Sequence, residues 1–377
     1  MLIEQRYWTA TGGWKNEGTL CLDGKASLLL VFASTSILDN RSLMDEVRRQ
    51  YPGTPLVGCS TAGEICGISV RDNSMVVTAI RFEHTTLKLV KTSIAEAGDS
   101  LKAGSQLAQT LAHGQLQHVL VLSDGLQVNG TELAQGLRTN LPDTVAVTGG
   151  LAGDGANFKR TLVCADAETG AGVIAAVGFY GTRLKVAYGS LGGWDSFGAQ
   201  RLITHSHGNI LYELDGRSAL ALYKEYLGEH AEGLPATGLL FPLALRVGEN
   251  DDDLVRTVLS VNENEQSMTF AGDMPEGSYA RLMKANFDRL IDGAAGAAHS
   301  ISAAIPNPQL ALLISCVGRK LVLKQRVEEE VESVRDVLGK DTVLAGFYSY
   351  GEICPQNATT QCELHNQTMT ITTFTES

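Results

Sequence analysis

The stretch Gly58-Cys59-Ser60-Thr61-Ala62-Gly63-Glu64 decides the fold, because its pattern returns near the end of the chain as Gly346-Phe347-Tyr348-Ser349-Tyr350-Gly351-Glu352. Both stretches follow a short apolar segment, and both continue into Ile-Cys, so that Gly-Glu-Ile-Cys occurs at 63–66 and again at 351–354. A glycine at the end of a strand permits a sharp turn or the close approach of another backbone. The recurrence predicts an internal duplication.

The segments before each stretch follow the same order, which extends the repeat on the amino-terminal side. In the first copy we predict a strand, a helix and a second strand at Leu28–Phe32, Asn40–Gln50 and Pro55–Val57. In the last copy the counterparts are Leu310–Ser315, Gln325–Leu338 and Thr342–Ala345. A strand closes each copy, at Ser74–Phe82 and at Thr368–Phe374. Each copy therefore has the order β-α-β-turn-β.

A weaker copy lies between these two. Its predicted elements are Val119–Leu122, Thr131–Arg138, Thr144–Val147 and Ala171–Phe179, with Thr148–Asp154 as the turn. Leu28 and Gly58 are 30 residues apart, and so are Val119 and Gly149, which supports the match. Strand, helix, strand and glycine also occur in this order in any α/β protein, so the shared Gly-Glu-Ile-Cys carries most of the argument for duplication.

A different segment separates the middle copy from the last one. We predict strands at Pro242–Val247, Leu254–Val261 and Ser267–Ala271, and a helix near 278–291. The fold class is therefore mixed α/β, with repeated β-α-β-turn-β units that form mixed sheets covered by helices. We predict two domains packed together, one at 26–227 with two copies and one at 228–377 with a strand meander and the third copy.

Composition excludes several classes of protein. The chain has 377 residues, of which 44% are hydrophobic and 19% charged, so it can build a large core and is not intrinsically disordered. The formal charge of −12 argues against nucleic acid or an anionic membrane as the partner. No apolar run is long enough to span a bilayer, and residues 1–7 lack the features of a secretory signal.

The cysteines favour a reducing compartment. There are seven of them, an odd number, and none forms a Cys-x-x-Cys pair. We therefore expect neither a disulfide nor a structural zinc site, and we expect the protein to be cytoplasmic.

At this point the chain resembles a known family. The stretch 58–64 and the segment Asn209-Ile-Leu-Tyr-Glu-Leu-Asp-Gly216 resemble the FIST N domain, while Ala271–Gly277, Gly346–Glu352 and Leu364–Thr368 resemble the FIST C domain. The resemblance covers 28–374 and implies a sensory input module of bacterial signal transduction, without an enzymatic activity. It resembles stand-alone members, whose partner is a separate histidine kinase or cyclic-di-GMP enzyme. A subset of the family senses nitric oxide through haem b.

The candidate ligand-binding residues lie in the repeated turns and just before the last strand: Ser60, Glu64, Tyr348, Glu352, His365 and Asn366. Paired carboxylates at strand ends can hold an amino group, act as acid and base, or accept hydrogen bonds from nearby backbone. Neighbouring strands usually pair, so we expect Tyr348, Glu352, His365 and Asn366 to face one pocket.

Histidines are the candidates for haem iron. His365 is the first choice because imidazole is a strong axial ligand, and His205 with His207 is the alternative. Each also has a structural reading, as a buried histidine in a turn or as exposed strand residues. The function we expect is a haem-binding nitric oxide sensor. The alternative is a sensor of an amino-acid-like molecule without haem, and an enzyme using Glu64, Glu352 and His365 ranks behind both. A homodimer is also kept open.

Overall fold

The computed structural model describes residues 1–246, 254–355 and 362–377, and these form 27 strands and nine α-helices. The predicted mixed α/β class is confirmed. Val247, the last residue of one predicted strand, lies outside the described residues.

Unit 1 contains the first predicted copy. Its elements are β1 (Leu2–Thr9), β2 (Gly13–Glu17), β3 (Leu28–Ala33), α1 (Thr35–Leu38), α2 (Arg41–Gln50), β4 (Leu56–Ser60), β5 (Glu64–Cys66), β6 (Ser69–Arg71) and β7 (Ser74–Arg81). Helix α2 begins where the Asn40 side chain accepts a hydrogen bond from the Leu43 N–H at 3.3 Å. It buries Leu43, Met44 and Val47 against the sheet, as the predicted helix requires.

Unit 2 has the same core with two additional helices in front. Its elements are β8 (Thr86–Ser93), α3 (Ile94–Ala97), α4 (Ser100–Leu111), β9 (Leu116–Ser123), α5 (Gly130–Asn140), β10 (Ala146–Leu151), β11 (Val163–Ala165), β12 (Glu168–Gly170) and β13 (Val173–Tyr180). Asn129 caps α5 by accepting from the N–H groups of Thr131 and Glu132 at 3.0 and 3.2 Å.

Unit 3 is interrupted after its first strand, β14 (Leu184–Leu191). The inserted domain consists of β15 (Asp195–His207), β16 (Ile210–Leu214), β17 (Arg217–Ser218), α6 (Ala219–Leu227), β18 (Leu243–Arg246), β19 (Leu254–Arg256), β20 (Val258–Asn262), β21 (Ser267–Phe270) and β22 (Tyr279–Lys284), with short 3₁₀ turns at Gly228–Gly233 and Ala236–Leu240. Unit 3 then continues with α7 (Phe287–Ser302), β23 (Leu310–Cys316), α8 (Val317–Leu323), a 3₁₀ turn at Lys324–Arg326, α9 (Val327–Leu338), β24 (Val343–Ser349), β25 (Gly351–Pro355), β26 (Cys362–His365) and β27 (Met369–Glu376).

The core of every unit is the same three-stranded arrangement. We call β3, β9 and β23 the first strands of the three cores. Each pairs in parallel with the second strand of its core and antiparallel with the last, giving the orders β4-β3-β7, β10-β9-β13 and β24-β23-β27. The predicted repeat is confirmed by this matching topology.

The turn of each predicted copy contains a two-stranded hairpin, which we call an arm, and each arm joins the sheet of another unit. Arm β5–β6 of unit 1 pairs with β24 of unit 3, arm β11–β12 of unit 2 pairs with β4 of unit 1, and arm β25–β26 of unit 3 pairs with β10 of unit 2. The three units therefore exchange arms in a closed ring.

The strand-end glycines allow this tight packing. A Cβ added at Gly58, Gly149 or Gly346 would lie 1.9, 1.8 or 1.8 Å from a carbonyl oxygen of the neighbouring first strand. The three positions are equivalent, since they pair with Val31, Val121 and Leu313. Only a residue without a side chain fits there.

Each unit also adds a strand beside the last strand of its core. Strands β1, β8 and β14 pair antiparallel with β7, β13 and β27, and β8 and β14 follow in the chain on β7 and β13 of the preceding units. The two ends of the chain meet, with the Met1 amino group 3.7 Å from the Glu376 carboxylate. The three sheets enclose a common apolar core, in which the rings of Phe32 and Phe347 lie 4.7 Å apart.

The predicted helix near 278–291 is wrong in its first half. Residues Tyr279–Lys284 form strand β22, which is held between β15 and β18, and α7 runs from Phe287 to Ser302. The helix begins only at Asn286, whose side chain accepts from the Arg289 N–H at 3.3 Å. Pairing on both sides thus overrides the helical preference of Leu282 and Met283.

Candidate functional site

Glu64 opens arm β5 at the junction of units 1 and 3. It lies opposite Phe347 in the ladder between β5 and β24, and its side chain is 1% exposed. Two hydroxyl groups hold the carboxylate, because Thr61 Oγ1 donates to Oε1 and Ser74 Oγ donates to Oε2, each at 2.5 Å. The turn supplies Thr61 and the start of β7 supplies Ser74, so the local fold fixes the orientation of the carboxylate.

A cavity of about 430 Å³ lies beside this carboxylate, at the carboxyl ends of β3 and β4. Its wall is polar and includes Ser34, Ser36, Glu64, Asp72, Asn73 and Asp154. The Ser34 hydroxyl is buried and has no hydrogen-bond partner among the described residues. Strand ends in α/β sheets are common ligand sites, and polar groups that converge in a concave pocket give such sites their specificity.

The charge of the cavity is negative. Burial raises the pKa of Glu64 to about 7, while the hydrogen bonds from Ser74 and Thr61 and the nearby Lys320 oppose the rise. Lys320 donates to the Ala62 carbonyl at 2.8 Å and forms an ion pair with Asp72. Three carboxylates thus line the cavity and one ammonium lies at its rim, an arrangement that attracts a cationic group.

Glu352 occupies the matching position of the arm from unit 3. It lies opposite Gly150 in the ladder between β25 and β10. Ser349 Oγ donates to its Oε1 at 2.6 Å, and Thr368 Oγ1 donates to its Oε2 at 2.9 Å. Burial raises the pKa of Glu352 to about 8, against the effect of these hydrogen bonds and of Arg319. Glu352 is fully buried, whereas Glu64 borders a cavity.

Ser34 and Cys316, at the ends of β3 and β23, are equivalent residues beside Glu64 and Glu352. The N–H groups of Ser34 and Cys316 donate to the carbonyls of Ser74 and Thr368, both at 3.1 Å. Cys316 therefore replaces Ser34 in unit 3, and burial raises the pKa of its thiol.

Unit 2 lacks the carboxylate. The residue at the position of Glu64 and Glu352 is Val163, which pairs with Cys59 in the ladder between β11 and β4. Asp154, the last residue of the predicted turn, does not take this position, because unit 2 has a longer loop before its arm. Asp154 instead accepts hydrogen bonds from the backbone of Lys159 and Arg160, both at 2.9 Å, and from the Tyr350 hydroxyl.

Two of the predicted site residues have structural contacts. Ser60 Oγ accepts a hydrogen bond from the Leu162 N–H at 2.9 Å, which fixes the start of arm β11–β12. The Tyr348 hydroxyl donates to Glu330 at 2.5 Å, and Glu330 also forms a buried ion pair with Arg319 at 2.8 Å. The Tyr348 hydroxyl is therefore directed toward Glu330 and not toward Glu352.

His365 and Asn366 lie beside Glu352 at the end of the arm. His365 is directly opposite Glu352 in the ladder, and its Nε2 lies 3.0 Å from the Cys354 carbonyl oxygen. Burial lowers the pKa of His365 to about 4, so the ring is neutral. Asn366 is fully buried, and neither of its amide atoms has a hydrogen-bond partner among the described residues.

The three candidate histidines do not fit a haem site. Iron bound to His365 Nε2 would displace the contact of this atom with the Cys354 carbonyl oxygen. The His365 ring also does not line the cavity beside Glu64. His205 and His207 are exposed on β15, and His205 Nδ1 lies 3.0 Å from a Glu276 oxygen. No group of three or more His, Cys, Asp or Glu side chains in the described chain is arranged to hold a metal ion.

Sequence reasoning did not identify Ser34, Asp72 and Asn73. The run Ser34-Thr35-Ser36 directly after a buried strand is a local signal for a polar strand end. Asp72 and Asn73 come from the turn between β6 and β7, and they reach the cavity because the start of β7 lies beside the carboxyl end of β3. No local sequence signal indicates that proximity.

The chain is similar to known proteins over most of its length. The FIST N domain model matches residues 27–217, and the FIST C domain model matches residues 219–355. An uncharacterised protein of Methanocaldococcus jannaschii is 24% identical over 355 residues, which cover 87% of this chain and 66% of that protein. Among the described residues, no helix combines the length and apolarity needed to cross a membrane.

FIST domains are sensory, ligand-binding domains of signal transduction, so the cavity beside Glu64 lies in a sensory module. On these matches the chain belongs to the FIST family, with a FIST N domain followed by a FIST C domain.

Proposed function

We propose that this protein is a cytoplasmic sensor that binds a small amino-acid-like molecule in the cavity beside Glu64. The observation that carries the proposal is the presence of three carboxylates, Glu64, Asp72 and Asp154, in one polar cavity of about 430 Å³. An ammonium group is the ligand group that best matches them. Lys320, at the rim, supports the choice of an amino acid, because it can meet a ligand carboxylate.

The proposed ligand also accounts for the unpartnered hydroxyl. Ser34 Oγ is buried without a hydrogen-bond partner among the described residues, which costs free energy in the empty protein. A ligand that donates to Ser34 or accepts from it recovers that cost, so the free energy of binding includes this contact.

We propose that the signal passes to a separate histidine kinase or cyclic-di-GMP enzyme, as the family resemblance implies. The alternative proposal, a nitric oxide sensor with haem b, rests on the same resemblance, and the contacts of His365, His205 and His207 do not favour it. An absorption spectrum of the purified protein separates the two, because haem gives a Soret band that shifts with nitric oxide.

The direct test is calorimetric titration with a panel of α-amino acids, their decarboxylated amines and their N-acetylated forms. We expect saturable binding of at least one amino acid and no binding of its N-acetylated form, which has lost the cationic group. Glu64→Gln should weaken binding at least about tenfold, equivalent to about 1.4 kcal/mol. Glu352→Gln is the matched control, since this carboxyl has the same local contacts without the cavity.

The outcome that contradicts the proposal is equal affinity in the wild type and Glu64→Gln. Absence of binding for the whole panel, together with a Soret band that is lost in His365→Ala, would favour the haem sensor instead.

A further inference from the structure

Units 2 and 3 each carry a long helix before β9 and β23, α4 and α7, and in unit 1 the described residues before β3 form no counterpart. Helix α4 packs against α5, β8 and β13, and helix α7 packs against α9, β14 and β27. In unit 1 the chain passes from β2 to β3 through residues 18–27, which form no helix.

The face left uncovered in unit 1 is bounded by the equivalent elements. A groove of about 450 Å³ lies between β1, β7 and α2, which correspond to the elements that contact α4 in unit 2 and α7 in unit 3. It is lined by Arg6, Trp14, Glu46, Val47, Arg49 and Val77, among others. The groove therefore occupies the place of the absent helix.

Helices α2, α5 and α9 occupy equivalent places in the three units, and one matching position on them supports placing the groove where α4 and α7 lie. The seventh residue after the N-cap is Gly136 in α5, Ser333 in α9 and Val47 in α2. A Cβ on Gly136 would lie 2.1 Å from a carbonyl oxygen of α4, and Ser333 Oγ lies 3.4 Å from the Ile291 carbonyl of α7. Val47 at the same position lies at the floor of the groove and is 2% exposed.

The charges in the groove define what can fill it. Glu46 already accepts a hydrogen bond from Trp14 Nε1 at 2.9 Å. Arg6 and Arg49 line the groove, and neither forms a salt bridge within residues 1–246, 254–355 and 362–377. Between them the half-buried Trp14 offers apolar surface and lies under the Arg6 guanidinium, while Val47 and Val77 form the floor and are each 2% exposed. The complement is an amphipathic helix with an apolar stripe of small residues, flanked by acidic residues.

We propose that this groove is the docking site for an acidic amphipathic helix of a partner protein, bound in unit 1 where α4 and α7 lie in the other units. The internal helices show the mode of packing: α4 presents Ala103, Leu107 and Ala108 to the core, and α7 presents Leu290, Ala294 and Ala297. The proposal does not depend on the identity of the small ligand, because no groove residue named above lines the cavity beside Glu64.

The indole of Trp14 reports on the groove, and the full chain has only two other tryptophans. The probes are two stapled helices of about 16 residues, long enough to hold a helix, with the same alanine–leucine stripe and either glutamate or lysine beside it. We expect the acidic helix to shift the Trp14 indole N–H resonance saturably and to bind at least about tenfold more tightly than the basic one.

Two variants of helix α2 test the contact. Arg49→Glu should weaken the acidic helix at least about tenfold. Arg41→Glu is the matched control, because it makes the same charge change on the same helix outside the groove, and it should leave the affinity unchanged.

Three results overturn the proposal. The first is an unshifted Trp14 resonance at millimolar concentrations of the acidic helix. The second is equal binding of the acidic and basic helices. The third is self-association of the full chain, measured by light scattering, that Arg49→Glu abolishes, because the groove would then be an interface between copies of this chain.

Discussion

Glu64 and Glu352 lie at the same register position of two exchanged arms, each one residue before the residue that faces a strand-end glycine. Each carboxylate accepts a hydrogen bond from a hydroxyl three residues earlier and from another hydroxyl at or just before the last strand of its own unit. The clusters differ in their surroundings, because Glu64 borders a polar cavity and Glu352 is enclosed. Two copies of one local structure thus differ in whether the carboxylate reaches a cavity.

The first prediction concerns the stability of the enclosed cluster. Burial raises the pKa of Glu352 from the ordinary 4.5 to about 8, so between these values the folded protein holds a proton that the unfolded chain releases. The free energy of unfolding therefore falls as pH rises through this window. Glu352→Gln removes this contribution, and it should match the wild type at pH 5 and exceed it at pH 9 by roughly 2–5 kcal/mol.

Urea denaturation at the two pH values measures this difference. Gln can keep the local contacts, since its carbonyl accepts from Thr368 and its amide donates to Ser349 Oγ. A variant that is less stable than the wild type by the same amount at both pH values would contradict the raised pKa.

The second prediction concerns unit 2, where Val163 replaces the glutamate. The two hydroxyl positions are also apolar there, with Ala152 three residues after Gly149 and Val173 at the start of β13. Val163→Glu places a carboxyl group without donors in the central core, and should reduce the free energy of unfolding by about 3 kcal/mol or more. Adding Ala152→Ser and Val173→Thr should recover a large part of the loss.

Chemical denaturation of the single and triple variants, with Val163→Leu as the control for volume, tests this prediction. If the two added hydroxyl groups recover nothing, the equivalence of the three arms does not extend to their side chains.

The sequence predicted the repeat because its signals are local. Gly58 and Gly346 are required by steric contact at equivalent strand ends, and α2 follows its cap and apolar spacing. The exchange of arms could not be predicted, since strands of three residues such as Glu64–Cys66 do not specify which edge they join. Asp72 and Asn73 were missed because a polar turn before a strand gives no signal for a cavity, and Tyr348 was expected in a pocket although its hydroxyl contacts Glu330.

The third prediction concerns the thiols. Cys21 is exposed, and the other six cysteines are buried, which raises the pKa of each, to about 12 for Cys66, Cys164 and Cys362. We expect one rapidly reacting thiol in the native protein and seven after denaturation, in a thiol titration without reductant. Cys21→Ser should abolish the rapid reaction. A total below seven in denaturant would reveal a bridge.

The last prediction links the charge of Glu64 to binding. Its pKa of about 7 means that the carboxyl is protonated below neutral pH, and a protonated carboxyl does not attract an ammonium group. The affinity for an amino acid should therefore fall about tenfold for each pH unit below 7 and level off above it, so that binding at pH 5.5 is roughly 30-fold weaker than at pH 8. Because the bound ammonium favours the ionised form, binding near pH 7 should also release a proton. Calorimetry in buffers of different ionisation enthalpy measures both effects.

Glu64→Gln has no proton to release at this position, and its weaker binding should not change between these pH values. An equally steep pH dependence in Glu64→Gln would assign the titration to a group other than Glu64.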